Sequence, residues 1–164
     1  MSTTVTAEQY LARSIQLATA NVHNSGGPFG AMIVTADGRT FDGVNRVTAD
    51  HDPTAHAEVT AIRTACRALG THDLTGAVLY TSCEPCPMCL ASALWARIGR
   101  VVFAADRHDA ASVGFDDALF YEYFESRDRE ALLPVSKLEL NDPQAPAPLE
   151  PFTTWNTLTT RTDY

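Results

Sequence analysis

The chain has 164 residues, 45% of them apolar and 20% charged, a composition that suits one globular domain with a full core. A formal charge of −8, and 12 Lys and Arg that form no run, argue against a tRNA or DNA partner and favour a small uncharged substrate. No apolar run approaches membrane-spanning length, and residues 1–10 lack the basic start and apolar stretch of a secretory signal, so the expected compartment is cytoplasmic, with no membrane contact.

Thr6 and Gln9 form a capping box, and Leu11, Ile15, Ala18 and Val22 then fall on one helical face, predicting a helix that ends near Asn24. Ser25-Gly26-Gly27-Pro28 breaks it. Ala31–Thr35 and Phe41–Asn45 read as a hairpin joined at Asp37-Gly38. Asp52 or Thr54 caps a second helix with Pro53 near its first turn, Val59, Ile62, Cys66 and Leu69 on its buried face, and Gly70 at its end. Ala77–Thr81 reads as a strand, Cys86–Trp95 as a third helix, Arg100–Ala104 as a strand and Asp116–Phe124 as a helix. Leu133–Leu140 is expected to be a fifth strand. Strands alternating with helices after one hairpin imply an α/β domain with a mixed sheet. Asn141–Pro151, with prolines at 143, 146, 148 and 151, reads as an extended linker, followed by Phe152, Trp155 and a polar tail ending at Tyr164.

Two motifs carry chemistry: His56-Ala57-Glu58 and Pro85-Cys86-Pro87-Met88-Cys89. A catalytic zinc takes three protein ligands and keeps a fourth position for water, and His56, Cys86 and Cys89 supply that number. Such a metal lowers the pKa of its water to about 7. Glu58, two residues after the histidine, is the proton carrier, and the reaction class is hydrolysis with release of ammonia. His-x-Glu before Pro-Cys-x-x-Cys is the pattern of zinc nucleobase deaminases. Cysteines at 83, 86 and 89 also admit other readings. An iron–sulfur run would need another cysteine soon after, and position 93 is Ala. A structural zinc knuckle would need His72 or His108 as a fourth ligand, and neither has helpful spacing. A redox pair at Cys86 and Cys89 leaves His56 and Glu58 unexplained. Cys83 is read as a packing residue beside the site, because a third thiolate would fill the position that water needs.

The chain resembles the bacterial guanine deaminases of the cytidine deaminase fold. The resemblance is carried by Gly26-Gly27-Pro28-Phe29-Gly30-Ala31, Asn45, Asp52 to Val59, Thr81 to Leu90, Trp95-Ala96-Arg97 and Gly114-Phe115-Asp116-Asp117. It implies a three-layer α/β/α fold, a Zn2+ cofactor, a homodimer with possible exchange of C-terminal tails, and hydrolysis of guanine to xanthine. Residues 1–140 would form the deaminase domain, with 141–164 a tail that caps an active site. The resemblance also implies that Phe29 stacks on the base, Asn45 hydrogen-bonds a ring heteroatom, and Ala57 and Trp95 line the pocket. Asp117 would bind the guanine edge and pass a proton to the leaving amine, and Tyr164 would close the pocket from the partner's tail. Asp116 and Asp117 are also the residue type that caps a helix.

The chain departs from the family pattern at Ala91 and Leu94, where relatives often carry Gly and an aromatic, and in the length of the 141–151 segment. Guanosine, cytosine or an aminotriazine such as ammeline would use the same zinc and carboxylate. A tRNA-editing relative and a non-catalytic zinc-binding module are the readings from other classes.

Overall fold

The structure, a computed structural model, describes residues 5–126 and 132–164. Helix α1 spans Ala7–His23 and opens with the capping box, in which the Thr6 side chain accepts from Gln9 N–H while Gln9 accepts from Thr6 N–H. Its buried face differs from the apolar stripe expected. Ile15 and Val22 are exposed, and Ser14, Ala18 and Asn21 are buried. Two polar residues can occupy that face because both are satisfied. The Ser14 hydroxyl bonds the Tyr10 and Tyr80 carbonyls, and Asn21 bonds the Gly27 and Asn45 carbonyls.

Strands β1 (Gly30–Val34), β2 (Thr40–Val44), β3 (Val78–Cys83) and β4 (Arg100–Ala105) form one mixed sheet in the order β2-β1-β3-β4. β1 pairs antiparallel with both neighbours, Ala31 lying opposite Gly43 and Thr81, while β3 and β4 run parallel. Strand alternation sends Met32, Val34 and Tyr80 toward Tyr10 and Leu11 of α1. Ala31, Ile33 and Leu79 face the other way, against Ala57, Ala61 and Ala65 of α3 (Ala57–Leu69) and Ala93 of α4 (Pro87–Trp95). The alanines let α3 sit close to the sheet, and Gly43 makes the same allowance on β2. A Cβ there would lie 2.3 Å from the Ala57 oxygen and the Ala61 nitrogen.

Short helices not anticipated from periodicity follow β2, as α2 (Val47–Asp50), and β4, as α5 (Arg107–Ser112). Helix α6 spans Ala118–Glu125. Asp52 and Thr54 do not cap α3: the Asp52 carboxylate accepts from Thr54 N–H and Oγ1 in the preceding turn, so the helix starts later, with His56 at the N-cap. Gly70 ends it in the left-handed conformation, as its position predicts.

By internal contacts the chain divides into two units, Met1–Phe124 and Glu125–Tyr164. The second unit corrects two expectations. Among the described residues the sheet has four strands, and 133–140 form no strand. Alternation alone supplies no ladder partner, Pro134 lacks an N–H to donate, and Val135 and Leu138 are largely exposed. The proline-rich segment is not extended to its end, since Pro151 lies in the first turn of α7 (Glu150–Thr157), where its missing N–H costs nothing.

Candidate active site

His56 and Cys86 are N-cap residues of α3 and α4 with nearly the same backbone angles, φ −66°, ψ 158° and φ −66°, ψ 168°. Neither side chain caps its own helix. They turn toward each other instead. His56 Nδ1 lies 3.6 Å from Cys86 Sγ and 3.5 Å from Cys89 Sγ, and the two sulfurs are 3.6 Å apart. Bonds of about 2.3 Å to sulfur and 2.0–2.1 Å to nitrogen in a tetrahedron separate two sulfurs by about 3.8 Å, and sulfur from nitrogen by about 3.6 Å. The donor set therefore fits Zn2+ in both spacing and chemistry. Among the described residues it is the one group of three or more His, Cys, Asp and Glu able to hold a metal ion.

Electrostatics favour anionic sulfur at Cys86, while Cys86, burial and Glu58 push the Cys89 thiol up. The hydrogen bond from Cys89 and the contact with His56 hold the Cys86 thiol well below its ordinary value, and the partially positive N-termini of both helices act in the same direction. Cys83 stands apart. Its Sγ contacts the Asp106 carbonyl at 3.5 Å, and burial pushes its thiol up to about 11.

Glu58, in the first turn of α3, is buried beside these donors. Thr81 Oγ1 donates to its Oε1 at 3.3 Å, and Cys89 Sγ lies 3.4 Å from its Oε2. Burial raises the carboxyl above its ordinary value.

These groups open onto a cavity of about 560 Å³. Phe29, Asn45, His56, Glu58, Cys86 and Asp117 line it, so most of the predicted site residues converge there. Phe29 and Phe115 pack edge to face, 4.9 Å between ring centroids with the planes 88° apart. Asn45 Oδ1 accepts from Val47 N–H. Asp116 Oδ1 accepts from Ala118 N–H at the start of α6, which leaves Asp117 as the aspartate whose carboxyl is raised by burial and by Cys86. Ala57 is wholly buried at the start of α3. Trp95 does not line this cavity and is 67% exposed. It is the last residue of α4, nine residues after Cys86. Tyr164 belongs to the second unit and its side chain is exposed.

Sequence reasoning missed several residues around the cavity. Thr81 holds Glu58, and Glu84 accepts the Arg107 N–H. The Arg107 guanidinium lies 4.7 Å from the centre of the Tyr121 ring, and the Tyr121 hydroxyl donates to the Pro85 carbonyl just before Cys86. No local pattern marks these residues, because their partners are 14 to 36 positions away.

Residues 4–105, which contain all three donors, match the cytidine and deoxycytidylate deaminase zinc-binding region. The chain is 44% identical over 158 residues to the guanine deaminase of Bacillus subtilis (strain 168), across 96% of this chain and 98% of that protein. The X-ray structure of guanine deaminase from Bacillus subtilis superposes with a TM-score of 0.89, covering 98% of this chain and 99% of that one. A solved complex with 2,6-diaminopurine, 34% identical, superposes with a TM-score of 0.66 over 70% of this chain and 64% of that one. A zinc-site geometry inside the matched region, together with 44% identity over 96% of the chain, means that the chain belongs to the cytidine and deoxycytidylate deaminase family, on its bacterial guanine deaminase branch.

Proposed function

We propose that the chain hydrolyses guanine to xanthine and ammonia. The observation that carries this reading is the placement of three zinc donors and a buried, unligated Glu58 beside a cavity with aromatic residues in its wall. When bound, zinc supplies a water acidified to a pKa of about 7. Glu58 takes a proton from the attacking water and gives it to the ring nitrogen beside the attacked carbon, and a second transfer completes the ammonia. One C–O bond forms and the exocyclic C–N bond breaks, with no change of oxidation state. Thr81 keeps the carboxylate pointed at the reaction while it cycles between protonation states.

Phe29, set against Phe115, offers the base an aromatic face. Asn45 uses its oxygen on Val47, which leaves its NH2 group to meet an acceptor on the base. Ala57 offers its backbone N–H at the helix start. Asp117 pairs with the guanine edge and relays a proton to the leaving amine. We further assign a homodimer in which the 141–164 tail, with Tyr164, caps an active site and excludes water.

Ultraviolet absorbance and ammonia release across guanine, guanosine, cytosine, ammeline, adenine and cytidine test the assignment. Guanine should be turned over with the highest kcat/KM. Faster turnover of another compound would reassign the substrate, and no ammonia from any compound by zinc-replete protein would leave the non-catalytic reading.

A further inference from the structure

We propose that Asn21 is a positioning residue for base binding, acting from behind the cavity wall through Asn45 and the Gly26-Gly27 loop. The inference rests on the reading above that Asn45 contacts the base.

Asn21 lies in the last turns of α1, 9% exposed, and does not line the cavity. Its amide nitrogen has two hydrogens, and both are committed. One goes to the Gly27 carbonyl and the other to the Asn45 carbonyl, each at 2.8 Å. The same residue's backbone carbonyl accepts the Gly26 N–H at 2.8 Å. One side chain thus joins two segments that both line the cavity, the loop leading to Phe29 and the stretch just after β2 that carries Asn45.

The glycine pair is shaped to this arrangement. A Cβ on Gly26 would lie 2.3 Å from the Asn21 amide nitrogen, and one on Gly27 would lie 2.9 Å from Asn45 Oδ1. Neither glycine uses a left-handed backbone, so close approach rather than conformational freedom requires them. Asn45 is then held from three sides. Its carbonyl is fixed by Asn21, its N–H by the Phe29 carbonyl at 3.1 Å, and its side-chain oxygen by Val47 N–H. The Asn45 N–H bond to Phe29 also ties the donor for the base to the aromatic ring. If Asn21 were only filling space, a residue of the same size would serve, and neither amide hydrogen would need a partner.

Two perturbations break the clamp from opposite sides. Asn21→Leu removes both donors at similar volume, and Gly26→Ala pushes the intact Asn21 amide off its partners. In full-length, zinc-loaded enzyme each should raise the guanine KM about tenfold, the effect of losing a placed hydrogen bond to the base. The kcat should stay within about threefold of wild type, because zinc and Glu58 are untouched. In an Asn45→Ala background neither substitution should raise KM further, since the effect travels through Asn45. Unchanged KM, or an increase that adds in full to that of Asn45→Ala, overturns the proposal. So does loss of zinc or of folding in both variants, which would assign Asn21 to the fold alone. If Asn45→Ala itself leaves KM unchanged, the base-contact reading fails first. An effect at Asn45 with none at Asn21 removes only the positioning role.

Discussion

Gly43→Ala should damage the site without touching it. The added Cβ would lie 2.3 Å from the Ala57 carbonyl oxygen and the Ala61 nitrogen, both backbone atoms of α3 that no rotamer change can move. Relieving the contact to an ordinary 3.4 Å means shifting the helix from the sheet by about 1 Å. Overpacking of this kind costs about 1–3 kcal/mol, offset by the roughly 0.5–1 kcal/mol that Ala gains over Gly through lower chain entropy. The net expectation is about 1–2 kcal/mol of lost stability, read as a lower urea midpoint at unchanged m-value. The larger effect is on chemistry. His56 and Glu58 ride on the first turn of α3, and a misplacement of 1 Å costs about 100-fold in rate. Gly38→Ala is the control. It is strained by φ +84° but has nothing within 4 Å, so it should lose about 1 kcal/mol and keep full activity. A Gly43→Ala enzyme with wild-type midpoint and kcat would refute the close packing of α3 on β2 as the element that places the site.

Glu58→Gln should retain zinc and melting temperature while kcat falls by about 10²–10⁴, and activity above about a tenth of wild type removes Glu58 as the proton carrier. His56→Ala, Cys86→Ala and Cys89→Ala should each lower bound zinc by metal analysis while Cys83→Ala does not; equal loss at Cys83 would bring back a structural knuckle. Asp117→Ala should reduce guanine kcat/KM far more than Asp116→Ala, by at least the roughly 1–3 kcal/mol of one unpaired buried partner, and the reverse order would move the role to the capping aspartate. Deleting residues 157–164 should lower activity with melting temperature and zinc content nearly unchanged; recovery on subunit exchange with a full-length Glu58→Gln chain would support capping across a dimer, and no recovery in confirmed heterodimers would exclude it.

Chemistry was legible before any coordinates because it is written in short local spacings. His56 and Glu58 stand two residues apart and Cys86 and Cys89 three, each at a helix start marked by nearby prolines, so the zinc donor set and the proposed proton carrier follow from residue type and order. The α1 capping box, the Gly70 stop and the first four strands were likewise local matters of caps, turns and alternation. Two kinds of feature escaped. The 133–140 segment alternates like a strand, but a strand exists only where another supplies its ladder, and no local pattern encodes a partner. The buried face of α1 could not be read from hydrophobicity, because Ser14 and Asn21 are tolerated inside only where carbonyls from distant segments meet them. The same holds for Thr81 on Glu58. Sequence alone determined which atoms can do the chemistry; tertiary packing decided which polar groups hold those atoms still, since a hydrogen bond between residues tens of positions apart leaves no periodicity to read.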